Sequence, residues 1–358
     1  MPFASRDRLP RLYATAHSKT GLLTRQTPRN LIFLCDGTLT RLEPGRESNL
    51  GQVMRLLHHL GDGSRQISHY DRGIQGSGWR RWLNAASGQG INLSIRNGYG
   101  FLARTYRPGD RIYLFGYSRG AYAVRSLAGM IGTIGLLHQE YATPRHVHLA
   151  FRFYEVGSQS TARQHFSKHR CHTDVPIEML GVWDTVKSLG LPYPLLNRLA
   201  PMATEFHDHE LGAHIRHGYH ALAIDEDRTS FEPILWEQSP DWQGRLEQTW
   251  FPGAHGDVGG QVTNDRHRPL SNVSLNWMLR RAEAHGVLLP DGWSDWFPED
   301  PTAPMMGARA GLGWFYVLRR PREAGHSDGE TVHLSIRDRM AALPKYRPKG
   351  RLTGPQTR

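Results

Sequence analysis

The sequence has 358 residues, 39% of them hydrophobic, and a formal net charge of +11. That length and apolar content can bury one large core, which excludes a disordered or fibrous protein. Two cysteines, Cys35 and Cys171, exclude a disulfide framework and any C-x-x-C motif, so a reducing compartment is expected.

Residues 1–30 hold six basic residues against Asp7, and residues 336–358 hold seven against Asp338. The two ends therefore account for the whole excess, and the body between them is formally neutral. This predicts basic, flexible segments at 1–28 and 341–358 around one domain at 29–340. It argues against a nucleic-acid groove across the fold, while the ends suit an anionic membrane surface. No apolar stretch follows the first basic residues, so no secretory signal is expected. The longest run free of strongly polar residues, Met130 to Leu137, is far short of the roughly 20 apolar residues of a membrane span. A cytoplasmic or membrane-peripheral protein is the expectation.

Order is expected to begin at Asn30–Cys35, a short apolar run closed by Asp36-Gly37-Thr38, which reads as a buried strand ending in a turn. Helical spacing follows from Ser48 to Leu60, with Leu50, Val53, Leu56, Leu57 and Leu60 on one face and Ser48 or Asn49 as cap. Gln66–Tyr70 reads as a strand, Gly73–Gly90 as a glycine-rich loop, Ile91–Tyr106 as a helix and Asp110–Phe115 as a third strand. Ile177–Trp183 and Glu247–Phe251 are further strands, and Ser271–His285 is a helix. Alternation of strand and helix without repeat or linker predicts a single α/β domain, with a mostly parallel sheet and helices on both faces.

The chemistry concentrates at strand ends. Gly116-Tyr-Ser118-Arg119-Gly120 is a G-x-S-x-G with a strand directly before it and the helix former Ala121–Ala128 directly after. This is the context of a nucleophile elbow, in which the glycines permit the tight turn and the helix N-terminus favours developing negative charge. A nucleophilic serine needs a base and a carboxylate to orient it. Asp184 follows the strand Ile177–Trp183, and His255 lies in the glycine-rich stretch Phe251–Gly260, expected to be a loop holding the imidazole exposed. Asp257 is the reserve acid or a loop brace. The backbone N–H groups of Asp36, Gly37 and Thr38, with that of Arg119, are candidates for an oxyanion hole.

Two metal or phosphate readings fail on spacing. Leu34 stands where a D-x-D-G-T phosphatase needs its first aspartate, and His209-Glu210 with His214 is one residue too long for H-E-x-x-H. Histidines five apart lie about 140° apart around a helix, so Phe206–His217 reads as a polar helix face. No metal and no cofactor is expected. Leu189–Met202, apolar and broken by three prolines, suits a lid or lipid-facing surface as well as it suits a loop packed on the sheet.

Together these residues resemble the α/β-hydrolase domain family that includes catalytic domains of type VI secretion phospholipase effectors. The resemblance rests on Leu34–Thr38, Tyr70–Ile74, Tyr106–Arg125, Gly181–Thr185, His220–Glu226 with Arg228, Trp250–Gly260 and His333–Ile336. It implies an α/β-hydrolase-like fold and a triad of Ser118, Asp184 and His255 acting on lipid or phospholipid acyl esters. It also makes export by a type VI system, and an immunity or secretion partner, questions for this chain. Ser48-Asn-Leu50 departs from the family's usual Thr-Asn-Val, and Gly256 stands where serine is common. A soluble small-ester hydrolase or thioesterase, and a silent hydrolase fold used for binding, remain as alternatives.

Overall fold

The computed structural model describes residues 27–352 apart from positions 38–39, 41–42, 44, 62, 64, 74–88, 187–209, 311–312 and 315. The lid candidate Leu189–Met202, Thr38, His209 and most of the glycine-rich loop therefore lie outside the described residues.

Seven strands form one sheet: β1 (Asn30–Cys35), β2 (Gln66–Asp71), β3 (Arg111–Tyr117), β4 (Ile177–Trp183), β5 (His217–Ala223), β6 (Arg245–Phe251) and β7 (Glu330–Val332). Their order is β2-β1-β3-β4-β5-β6-β7, and every neighbouring pair is parallel. Parallel strands need helical crossovers that cover both faces, so the central ones are apolar on both sides. In β1, Leu31, Phe33 and Cys35 enter one core while Ile32 and Leu34 enter the other. The first core is closed by α2 (Gln89–Thr105), α3 (Arg119–Ile134) and α4 (Pro144–Val156), and the second by α1 (Asn49–Leu60) and α7 (Arg268–Ala284). The helix α5 (Thr161–Arg170) adds Phe166 to the first core, and the one-turn α6 (His255–Gly259) adds Val258 to the second.

Local chemistry sets the helix starts. Ser48 accepts from the Gly51 N–H at 3.1 Å and so caps α1. Its hydroxyl also donates to Asp36 at 2.6 Å, tying α1 to the end of β1. Asn49 donates to Val258 O at 2.9 Å and to Ser274 Oγ at 3.2 Å, which locks α1 to both α6 and α7. Leu60, expected on the buried face, is exposed at the last turn of α1.

Two segments differ from the sequence-based expectation. Described residues 210–216 carry no helix, His217 opens β5, and the His214 ring bonds Ala128 O at 2.9 Å. The strand was hidden because His220 sits at its centre, fully buried, where burial pushes its pKa down to about 3 and keeps it neutral. The C-terminus is the other case. The helix α8 (Leu334–Ala342) packs Ile336 beside Trp250, and residues 343–352 continue along the body instead of forming a free tail. Tyr346 Oη and the Lys349 N–H both donate to Asp225 at 2.9 Å, Lys349 pairs with Asp227 at 3.0 Å, and Arg351–Leu352 pairs with Glu323–Ala324. Much of the basic charge counted at this end is thus engaged with the domain. Among the described residues, no helix is long and apolar enough to cross a membrane.

Candidate active site

Register brings the chemistry-bearing residues to one edge. Cys35 pairs with Gly116, Tyr117 with Trp183, and Ala223 with Phe251, so the residues after β1, β3, β4 and β6 emerge side by side at the carboxyl ends of the strands. Chain order reverses between β1 and β3, the switch point at which open α/β sheets place their sites.

Ser118 sits on the turn from β3 into α3 with φ 57° and ψ −118°. A non-glycine residue there is strained, and the neighbouring glycines make the turn sterically feasible. A Cβ on Gly116 would lie 2.5 Å from Ala121 Cα, and one on Gly120 would lie 2.0 Å from Cys35 O. Asp184, directly after β4, is the other described non-glycine residue with positive φ, at 42°.

The three side chains singled out from the sequence lie together. Ser118 Oγ is 2.9 Å from His255 Nε2, and His255 Nδ1 is 2.6 Å from Asp184 Oδ2. All three are buried, so His255 is not the exposed loop histidine expected; it opens the short helix α6. Its ring is held between Tyr117, stacked at 4.9 Å, and Phe231, edge-on at 5.0 Å. Its backbone N–H donates to Glu226 at 3.2 Å, and Glu226 is gripped in turn by Arg228 through two bonds of 2.7 and 2.6 Å.

Asp184 has a partner that sequence reasoning missed. Arg322 donates to both its oxygens, at 2.6 and 3.0 Å, and the Ala223 N–H donates to Oδ1 at 3.0 Å. Burial works to raise the Asp184 pKa, but the Arg322 guanidinium and then His255 outweigh it and hold the carboxyl well below its usual range. Asp184 is therefore ionised and can only accept, which fixes the His255 tautomer: Nδ1–H donates to Asp184 and Nε2 is left to accept from Ser118.

The remaining sequence candidates take different places. Asp257 is a brace: its carboxylate accepts from the Ala254, Met306 and Gly307 N–H groups at 2.7 to 3.0 Å and does not reach His255. Asp36 accepts from Ser48, from Tyr70 at 2.5 Å and from the Gly37 N–H at 2.7 Å. The Gly37 N–H, an oxyanion candidate from the sequence, is engaged by its neighbour here. The Arg119 N–H belongs to the first turn of α3, beside Ser118, and burial of its guanidinium lowers that pKa to about 10. Among the described residues, the one group able to gather metal ligands is Glu178, His217 and His285, at the opposite edge of the sheet. Nothing in the sequence pattern marked Arg322 or the tether from His255 to Glu226.

Comparison with known proteins adds to this geometry. A protein of Saccharomyces cerevisiae (strain ATCC 204508 / S288c), the uncharacterized protein YEL023C, is 32% identical over 252 residues, covering 63% of this chain and 34% of its own length. The chain thus spans about a third of that relative. Among solved structures, an uncharacterized protein from Pseudomonas aeruginosa shares 16% identity over 76% of this chain and 49% of that one, with a TM-score of 0.39. The Tle1 effector bound to the VgrG spike of the Type 6 secretion system shares 18% identity over 65% of this chain and 51% of that one, with a TM-score of 0.34. The model of one family, described as the catalytic domain of T6SS Tle1-like phospholipase effectors, matches residues 29–281, most of the chain. The chain belongs to that family of Tle1-like phospholipase effector catalytic domains.

Proposed function

We propose that this chain is a serine hydrolase that cleaves acyl esters of glycerophospholipids. The observation that carries this reading is the unbroken hydrogen-bond chain from Ser118 Oγ through His255 to Asp184, closed by Arg322. In this mechanism His255 Nε2 takes the Ser118 proton as Oγ attacks the ester carbonyl, and returns it to the leaving alcohol. Asp184 holds the ring and stabilises the imidazolium. Water then repeats the sequence on the acyl-enzyme. The Arg119 N–H at the start of α3 is the oxyanion donor supported by the elbow geometry. Family membership supports a phospholipid over a small soluble ester as substrate, and makes a type VI secretion component the first partner to test.

A fluorophosphonate probe, followed by peptide mass spectrometry and phospholipid turnover, tests the reading. Labelling confined to Ser118, lost in Ser118→Ala, together with release of fatty acid from phospholipid, is expected. Unlabelled folded protein overturns the nucleophile, and turnover of soluble esters without phospholipid overturns the substrate class.

A further inference from the structure

The stretch from Arg309 to Arg322 carries four arginines and no acidic residue. Trp314, Val317 and Leu318 within it are 69%, 78% and 54% exposed, three of the nine exposed large hydrophobic residues described, gathered into five positions. Single exposed apolar residues need no explanation, but a cluster does. Its position is specific: Tyr316 packs edge-on against Phe231 at 5.3 Å, and Phe231 packs against His255 at 5.0 Å. The apolar tips therefore stand on the rim of the Ser118 site.

The surrounding charge is sorted. Arg322 and Arg319 point inward and are occupied by Asp184 and Asp227. Arg309 and Arg320 are exposed, Arg309 lying over the Trp314 ring at 5.6 Å and Arg320 meeting the equally exposed Glu232. An indole and two aliphatic tips set among surface guanidinium groups match the boundary between anionic headgroups and acyl chains. We propose that Trp314, Val317 and Leu318 form a docking surface that enters an anionic phospholipid bilayer and holds the Ser118 site against it. The proposal rests on the phospholipase reading, because docking at this rim serves an enzyme whose substrate lies in the bilayer.

The full chain and a triple variant, Trp314→Ser, Val317→Ser and Leu318→Ser, are mixed with vesicles of equimolar phosphatidylcholine and phosphatidylglycerol. All three positions are more than half exposed, so the fold has little packing to lose. Vesicle affinity is expected to fall about tenfold or more in the variant, and hydrolysis of vesicle lipid to fall with it, while a monomeric short-chain ester is turned over as before. Equal vesicle affinity for the two proteins overturns the proposal. So does a wild-type dimer that the variant converts to monomer, since the patch would then be a contact between copies of this chain. If vesicle binding depends on the patch but neither lipid nor ester is cleaved, the docking surface stands and the phospholipase reading falls.

Discussion

The two edges of the central sheet both bring histidine and carboxylate side chains together, and they are built differently. At the amino ends of β4 and β5, Glu178 and His217 meet His285, with the two rings stacked at 3.8 Å. Two of the three are tied to structural partners: Arg216 bonds Glu178 at 2.8 Å, and Tyr219 Oη bonds His285 Nε2 at 2.7 Å. None of the three has positive φ, and burial lowers the pKa of both histidines. At the carboxyl edge, Ser118 and Asp184 hold backbone conformations that only surrounding structure can enforce, and His255 joins them with each ring nitrogen committed. Residue type is common to both edges. What separates them is stored strain together with a directed line of hydrogen bonds that ends on the Ser118 hydroxyl.

The sharpest way to break this contrast is to remove the Ser118 hydroxyl. Ser118→Ala is expected to lower kcat by at least about 10³-fold with folding unchanged, since triad members act as a unit; near-native turnover would move the chemistry elsewhere. Asp184→Asn should cost about 10⁴ in kcat by allowing the wrong tautomer, and a loss below tenfold in steady-state assays would contradict the orientation argument. Arg322→Met leaves a buried carboxylate without its counter-ion and is expected to cost roughly 3 kcal/mol in denaturant unfolding.

The pH dependence of that variant has a definite sign. In the native protein the Asp184 pKa lies below its unfolded value, so its stabilisation is complete above pH ~4 and is lost as pH falls through the folded pKa. Without Arg322, burial prevails, and the acid limb of the activity profile should shift to higher pH. His220 and His333 act in the same sense at higher pH, since burial pushes them down to about 3 and about 4. Below pH ~6.5 the unfolded chain takes up protons that the folded chain refuses, so stability should fall between pH 6.5 and 4 in urea titrations. The smallest effect belongs to the other edge: His217→Ala should leave ester turnover within about twofold and cost about 1 kcal/mol or less. A large loss of activity there would erase the distinction between the edges.

How much of this was legible follows from where the signals sit. The elbow and Asp184 directly follow strands that are mostly apolar, and His255 comes four residues after a strand that ends in Trp250-Phe251, so local pattern put them near strand ends. β5 was obscured by a neutral histidine buried in a position that pattern reads as polar. The engagement of the Gly37 N–H by the side chain beside it has no sequence signature. Arg322 lies 138 residues from Asp184 in an arginine-rich, aperiodic stretch, where long-range pairing leaves no trace in spacing.

That separation also bears on the order of synthesis. The strands bearing Ser118 and Asp184, and the helix bearing His255, leave the ribosome before residue 322 does. Until Arg322 arrives, Asp184 is a carboxylate facing burial without its cation. The carboxylate that orients His255 is thus completed only by a residue made well after the three side chains it serves.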